Sequence, residues 1–297
     1  MAKINLVSQT ASATIDTRGA SLIALEVNKT ELVGKPAKPG VETFHGSTLS
    51  PWQNRLENGL WRGPTGTSYQ NPINEPERGN ALHGLVFDRE FVVEKVSESK
   101  ANFSFRFAGT DGFPFSYQLV LSYQLEDSGI KCSFEVINTS PEAMPFVIGF
   151  HPYLCIGDEV ANLVLSATAK THYSQNKNKI PVTKESVAGK RFDLSQGIKV
   201  SEANLDDYFT DLEFVAGIAT TTLTDERSRN LEIWQDAAFP HLVIYTTNQF
   251  PGADGVISAV AIEPVSAPAN SLATGDHRWL EPGAGATGSW GIRLTEQ

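Results

Sequence analysis

The sequence lacks the features that would assign the chain to several specialised classes of protein. Its 297 residues include two cysteines, Cys132 and Cys155, too few for a disulfide framework and not spaced as Cys-x-x-Cys. No apolar run approaches the roughly 20 residues that a membrane-spanning helix requires. The segment Met1–Thr10 has one lysine and no apolar core, so no secretory signal is visible. We therefore expect a soluble, cytoplasmic protein that holds no metal and acts away from membranes.

Positive charge is also scarce. The chain has 24 Lys and Arg residues against 34 Asp and Glu residues, which gives a formal net charge of −10. An acidic surface does not attract the phosphates of nucleic acids or of anionic lipids, so neither is an expected partner. The segment Lys170–Lys190 holds five lysines, but interspersed Ser, Thr and Asn residues favour a solvated loop over a nucleic-acid patch.

Sustained helical periodicity is absent, and short alternating runs take its place. Asn102–Ala108, for example, puts Phe103, Phe105 and Phe107 on one strand face. Strands are predicted at residues 13–16, 21–27, 91–96, 102–108, 117–125, 131–138, 163–167, 231–235, 241–246, 256–264 and 288–294. Closely spaced strands with almost no helices between them predict an all-β fold, an antiparallel sandwich or barrel.

Nothing in the composition marks a domain boundary. The segments Gly34–Gly46 and Gly63–Gly79 are irregular, but each is followed by a cluster drawn from Trp, Asn, Arg and His. This arrangement favours functional loops on a rigid scaffold over linkers. We predict one large β domain over residues 1–297.

The motifs of common cofactor sites are missing or lie in the wrong context. Gly283, Gly285 and Gly288 satisfy G-x-G-x-x-G, but nine residues follow them and have the pattern of a strand. A dinucleotide site needs a helix there, so we interpret the glycines as a turn before the last strand. The chain has no phosphate-binding G-x-x-x-x-G-K-[ST] and no H-E-x-x-H. No cofactor and no metal are expected.

Two of the six histidines lie in apolar, turn-rich sequence. His83 precedes Gly84, and His151 precedes Pro152, where a strand ends and the chain bends. A histidine held in this way can face a cavity and transfer protons near neutral pH. The alternative is a core histidine bonded to a backbone carbonyl.

A third candidate is Glu263, which follows the apolar run Val256–Ile262. Partial burial at the end of a strand would raise the pKa of this carboxyl towards that of a useful general base. The alternative is a strand-end glutamate turned to solvent. Arg55 lies near two tryptophans and could bind a polar ligand or cap a loop. Together with Asn and Asp residues, these side chains suit a sugar.

Six segments resemble the aldose 1-epimerase (mutarotase) family, in family order and over almost the whole chain. They are Ser50–Arg55 with Asn58-Gly59, Asn74-Glu75 followed by Asn80–Leu85, Gly149–Tyr153, Leu205–Phe209, Trp234–Asp236 with Phe239-Pro240, and Ile262–Pro264. The resemblance implies a large antiparallel β-sandwich and a small sugar as substrate.

The resemblance also implies roles for individual residues. Glu263 corresponds to the general base, His151 to the general acid, and His83 to a second active-site histidine. Arg55 and Asp206 correspond to groups that bind the sugar, although a one-residue shift would replace Asp206 by its neighbour. The implied reaction interconverts α and β anomers through ring opening, without a metal or redox cofactor. A bell-shaped pH dependence is expected.

Several alternatives remain open at this stage. Glucose or galactose is the first expectation for the substrate. Pro152-Tyr153-Leu154 after His151 departs from the galactose mutarotases towards a bacterial mutarotase-like branch, and this departure leaves the identity of the sugar open. A hexose 6-phosphate is the second. Basic residues near the pocket would hold its phosphate, and the candidates, none of which matches a motif, are Lys35, Arg62, Arg78 and Arg89. A non-catalytic carbohydrate-binding protein is a third possibility. A metal-dependent enzyme with the two histidines and Glu263 as ligands is a fourth.

Overall fold

The computed structural model of the protein describes residues 2–34, 43–157, 159–252 and 255–296. The strands of the first part are β1 Lys3–Val7, β2 Ala11–Asp16, β3 Ser21–Val27, β4 Thr30–Glu31, β5 Thr48–Leu49, β6 Arg55–Glu57, β7 Leu60–Arg62, β8 Ser68–Gln70 and β9 Asn80–Leu82. Those of the middle part are β10 Val92–Val96, β11 Lys100–Phe107, β12 Tyr117–Glu126, β13 Gly129–Asn138, β14 Met144–Phe146, β15 Gly149–Phe150, β16 Tyr153–Leu154, β17 Val164–Ala167, β18 Thr171–Gln175 and β19 Pro181–Ser186. The last are β20 Ile198–Lys199, β21 Asp206–Thr210, β22 Ile218–Thr224, β23 Arg229–Asp236, β24 His241–Gly252, β25 Gly255–Val265, β26 Arg278–Leu280 and β27 Gly285–Glu296. Two short helices, α1 Val200–Ala203 and α2 Ser271–Thr274, and a 3-10 turn at Val160–Asn162 complete the regular structure.

Two large antiparallel sheets dominate the architecture. One has nine strands in the order β10-β11-β12-β13-β27-β23-β22-β17-β20. The other has the order β19-β18-β21-β24-β25-β15-β5, with β16 also pairing with β25. A separate four-stranded sheet is formed by β1 to β4. The expectation of an all-β antiparallel sandwich is confirmed, and all eleven predicted strands overlap observed ones.

Alternating apolar residues form the core between the large sheets. In β12 the odd-numbered residues from Tyr117 to Leu125 are buried, which is the period of two that a half-buried strand requires. Aromatic contacts join the sheets: the Phe150 ring of β15 lies 5.0 Å from the Trp290 ring of β27. Side chains from both sheets belong to one buried apolar cluster. This core fixes the position of the eight-stranded sheet, whose opposite face carries the cavity described below.

Two sequence interpretations are settled by the strand positions. The glycine-rich segment at residues 283–288 forms a turn and the start of β27, as expected. The solvated loop expected for Lys170–Lys190 is wrong, because β18 and β19 pair there as a hairpin at the edge of the eight-stranded sheet. Polar residues occupy β19 because this edge strand is largely exposed, whereas β18 buries His172 and Tyr173. Among the described residues, no helix is both long and apolar enough to cross a membrane.

Candidate active site

A cavity of about 560 Å³ brings together all five residues singled out in the sequence. Its lining includes Glu263, His151, His83, Arg55 and Asp206, which come from five different segments of the chain. The volume lies within the range of small-molecule pockets, roughly 300–1,000 Å³. The histidines, Glu263 and Arg55 are buried, whereas the Asp206 side chain is 22% exposed.

The register of the eight-stranded sheet explains why the acidic residues share a face. Glu263 of β25 lies opposite Val243 of β24, and Val243 lies opposite Tyr208 of β21. Directly paired residues project to the same side of a sheet, and so do residues two apart along a strand. Asp206, two residues before Tyr208, therefore faces the same side as Glu263.

His83 is held by the backbone around it. It follows β9 with a positive φ of 63°, and its amide donates to the Asn54 carbonyl at 2.9 Å. In return, the Asn54 amide approaches His83 Nδ1 at 3.3 Å. Gly84 has a φ of 78°, and a Cβ at that position would lie 2.2 Å from the Ser50 carbonyl oxygen. Glycine is required there, so the imidazole is fixed in direction by a turn that other residues would disrupt.

Glu263 and His151 meet at the cavity wall. Glu263 Oε1 lies 3.4 Å from His151 Nε2, and Glu263 is only 1% exposed. Burial, aided by the charge of Asp206, raises the pKa of Glu263 well above its usual value. Burial lowers the pKa of His151 to about 3. These shifts make the carboxylate a stronger base and the imidazolium a stronger acid, so the pair can take and give a proton.

Arg55 forms the polar side of the cavity with Asp206. Its Nη1 lies 3.4 Å from Asp206 Oδ1 and 3.2 Å from the Tyr208 hydroxyl. Asp206 also lies 3.5 Å from Lys179 Nζ. A carboxylate flanked by two cations accepts hydrogen bonds from hydroxyls, and a guanidinium donates to them. The arrangement therefore suits a polyhydroxylated ligand.

The neighbouring carboxylate, Asp207, points elsewhere. His172 Nε2 lies 2.8 Å from Asp207 Oδ1, and Arg191 lies 3.5 Å from Asp207 Oδ2. Asp207 does not line the cavity among its described residues. Of the two adjacent acids, the structure places Asp206 in the cavity.

Aromatic side chains complete the cavity, and the sequence analysis did not single them out. The lining includes Phe44, Tyr153, Tyr245 and Phe250. The Phe44 ring lies 4.4 Å from the His83 ring, and Tyr153 lies 5.1 Å from His151. Tyr153 could have been found from its place in the family-like segment Gly149–Tyr153, two residues after His151. Nothing in the local sequence marks Phe250.

Only part of the expected basic set lies near the cavity. Arg78 lines it, whereas Arg62 and Arg89 are not among its described lining residues, so that part of the expectation is wrong. Lys35 lies outside the described residues. Within the described ranges, no group of three or more His, Cys, Asp or Glu side chains is arranged to hold a metal ion.

Comparison with known sequences agrees with this geometry. The sequence profile of aldose 1-epimerase matches residues 3–288. A protein of Escherichia coli K12, described as uncharacterized protein YihR, is 26% identical over 285 residues, covering 94% of this chain and 89% of its own. The LacX protein of Lactococcus lactis is 34% identical over 73 residues, 24% of either chain.

Solved structures share the same architecture. A galactose mutarotase-like protein from Clostridium acetobutylicum has a TM-score of 0.84 at 21% identity, covering 99% of this chain and 95% of its own. Galactose 1-epimerase from Lactobacillus acidophilus has a TM-score of 0.83 at 18% identity, covering 99% and 94%. At such identities the structural likeness shows the fold alone, whereas the sequence profile spans nearly the whole chain and includes the five cavity residues that the sequence analysis named. The chain belongs to the aldose 1-epimerase family.

Proposed function

We propose that the protein is an aldose 1-epimerase that interconverts the α and β anomers of a free hexose such as glucose or galactose. The observation that carries the proposal is the contact between Glu263 and His151 at the wall of a cavity that Arg55 and Asp206 also line. Glu263 Oε2 is buried, and it has no hydrogen-bond partner among the described residues. A buried acceptor of this kind favours a ligand that brings a hydroxyl donor.

In the proposed reaction, Glu263 removes the proton of the anomeric hydroxyl while His151 protonates the ring oxygen. The C1–O5 bond breaks, C1 becomes an aldehyde, and rotation about C1–C2 presents its other face. The ring oxygen then attacks C1 and returns its proton to His151, and Glu263 returns the first proton to the new hydroxyl. Atoms and charges balance without a cofactor. The proposal treats residues 1–297 as a single catalytic domain.

His83, Arg55 and Asp206 bind the sugar in this proposal. Arg55 and Asp206 offer a donor and an acceptor in the same cavity as the reacting pair. The Phe44 ring, in contact with His83, offers an apolar surface to the C–H face of a sugar.

Polarimetry on freshly dissolved α-D-glucose and α-D-galactose at pH 7 tests the proposal. The wild type, Glu263→Gln and a blank without protein are compared, because spontaneous mutarotation must be subtracted. Acceleration by the wild type that the variant loses supports both the reaction and the base. If the wild type does not accelerate mutarotation but Glu263→Gln still binds the sugar, the protein is a carbohydrate-binding protein instead.

A second substrate class, the hexose 6-phosphates, is favoured by one observation. Arg78 lines the cavity and its side chain is 36% exposed, so part of its charge is available to an anionic group. NMR at equilibrium tests this class: the exchange between the α and β anomers of glucose 6-phosphate is measured on their anomeric proton signals. If Arg78 binds phosphate, Arg78→Gln reduces exchange of the phosphorylated sugar more than that of free glucose.

A further inference from the structure

Glu75 lies behind Arg55, and it is not among the described residues that line the cavity. Its side chain is 6% exposed. One edge of the Arg55 guanidinium meets this carboxylate: Nε lies 3.1 Å and 3.0 Å from its two oxygens, and Nη2 lies 3.0 Å from Oε1. Such a bidentate ion pair fixes the plane of the guanidinium as well as its position.

The remaining nitrogen of Arg55 points towards the cavity side. Nη1 contacts Asn54 Oδ1 at 3.3 Å, the Tyr208 hydroxyl at 3.2 Å and Asp206 Oδ1 at 3.4 Å. One edge of the Arg55 guanidinium therefore binds Glu75, and the other, at Nη1, faces the groups beside the cavity. Rotation of the guanidinium away from Glu75 would move Nη1 out of this arrangement.

Glu75 also holds the second arginine of the cavity. Arg78 Nη1 lies 3.0 Å from Glu75 Oε1, so one carboxylate oxygen serves both guanidinium groups. Asn80 donates to Oε2 at 2.8 Å and ties the carboxylate to the Asn178 carbonyl at 3.0 Å. Burial alone would raise the pKa of Glu75, but the bonds from Arg55 and Asn80 outweigh burial and hold that pKa below its usual value.

We propose that Glu75 is the positioning residue that directs Arg55 and Arg78 towards the hydroxyl groups of the bound sugar. The inference rests on the proposed function, because it assigns specificity to the same cavity. Neither arginine is hydrogen-bonded to Glu263 or His151 among the described contacts. The proposal therefore assigns the two arginines to binding rather than to proton transfer, and loss of their orientation is expected to weaken binding more than it slows the chemical step.

Glu75→Gln tests this role in the full-length protein with D-galactose as the probe. The amide offers one acceptor in place of two charged oxygens, and its own NH2 group repels the Arg55 donors. We expect KM to rise about tenfold while kcat stays within about twofold of the wild type. Glu75→Asp keeps the charge at a shorter reach, so its KM should be intermediate, and it carries the test if the glutamine variant does not fold.

Glu232→Gln is the matched control. Glu232 also pairs with an arginine, Arg293, but on the nine-stranded sheet and outside the described cavity lining. This control should change neither KM nor kcat by more than about twofold. An unchanged KM in a folded Glu75 variant, or a fall in kcat at constant KM, would overturn the positioning role.

A spectroscopic signal separates this inference from the proposed function. The 15N-labelled guanidinium of Arg55 should show a slowly exchanging Nε–H, assigned by its loss in Arg55→Lys, because Glu75 holds that edge. Glu75→Gln should shift this signal or broaden it beyond detection, and Glu232→Gln should leave it in place. If the wild type shows no mutarotation, the proposed function fails while this signal still reports on positioning. An Arg55 signal that is the same in Glu75→Gln and the wild type would refute the inference even in an active enzyme.

Discussion

Asp206 and Asp207 are adjacent on strand β21, and their carboxylates face opposite sides of the sheet. Asp206 contacts Arg55 and lines the cavity, whereas Asp207 contacts His172 on the other side. Alternation of side chains along a strand requires this separation. Two chemically identical neighbours therefore lie in different surroundings, one in the cavity and one beside His172.

This separation predicts different effects for the same substitution. Asp206→Asn should raise KM roughly 10- to 100-fold, because a hydrogen bond to a charged group contributes about 1.5–3 kcal/mol. Asp207→Asn should instead lower the free energy of unfolding by about 2 kcal/mol while KM changes little. Steady-state kinetics and urea unfolding of both variants provide the measurements. A larger rise in KM for Asp207→Asn would contradict the assignment.

The positions of the strands could be predicted from the sequence, but the pairing of the strands in the sheets could not. The alternating pattern from Tyr117 to Leu125 indicates a half-buried strand because one face contacts the core and the other faces solvent. The pairing of β25 with β24 and of β24 with β21 depends on long-range contacts that leave no local mark. The proximity of Glu263 and Asp206 could therefore be expected only from the family resemblance.

Glu75 shows a second limit of sequence reasoning. It stands within one of the family-like segments, yet its task depends on Arg55, twenty residues away, and on the hairpin turn that contains Asn178. Lys179, in the segment interpreted as a solvated loop, reaches Asp206 because β18 and β19 form a hairpin beside β21. Contacts of this kind follow from sheet order, which alternating patterns do not encode.

Glu263 and His151 should act as one unit in catalysis. Glu263→Gln and His151→Asn should each lower kcat by about 100-fold or more, the usual contribution of a positioned acid or base. The double variant should be no slower than the slower single variant, because either loss alone stops the coupled proton transfers. NMR exchange between anomers measures all three rates.

His241→Asn is the control for these variants. His241 lies on β24 beside Tyr173 and is not among the described cavity residues. It should keep kcat within about twofold of the wild type. Multiplicative losses in the double variant would show that Glu263 and His151 contribute independently, against the proposed mechanism.

The same pair predicts the pH dependence of kcat/KM. The pair is active when it holds one proton in total, so activity falls when a second proton binds and when the last one leaves. The acid limb should lie near the His151 pKa of about 3, and the alkaline limb should lie above the usual range of a carboxyl because burial raises the Glu263 pKa. The profile should therefore be bell-shaped.

Asp206→Asn tests the origin of the alkaline limb. The charge of Asp206 raises the Glu263 pKa in addition to burial, so its removal should move the alkaline limb to lower pH. Glu232→Gln, which removes a distant carboxylate, should leave the limb in place. A shift to higher pH in Asp206→Asn would contradict the assignment of this limb to Glu263.

His45 should make the protein less stable in mild acid. Its ring is buried against Tyr153 and Phe250, and burial lowers its pKa to about 4, against 6.5 for a free histidine. The unfolded chain therefore binds a proton that the folded protein excludes. The stabilisation is fully present above pH 6.5 and is lost as the pH falls towards 4.

His45→Gln should remove this dependence, since its amide can still donate to the Ile23 carbonyl but does not titrate. Urea unfolding at pH 7 and pH 5 should show a fall in unfolding free energy that is smaller by about 2 kcal/mol in the variant than in the wild type. Comparing each protein with itself at two pH values removes any loss of packing that the substitution causes. Equal falls in both proteins would show that His45 is protonated in the folded state at pH 5, and that its buried ring finds a partner for the charge.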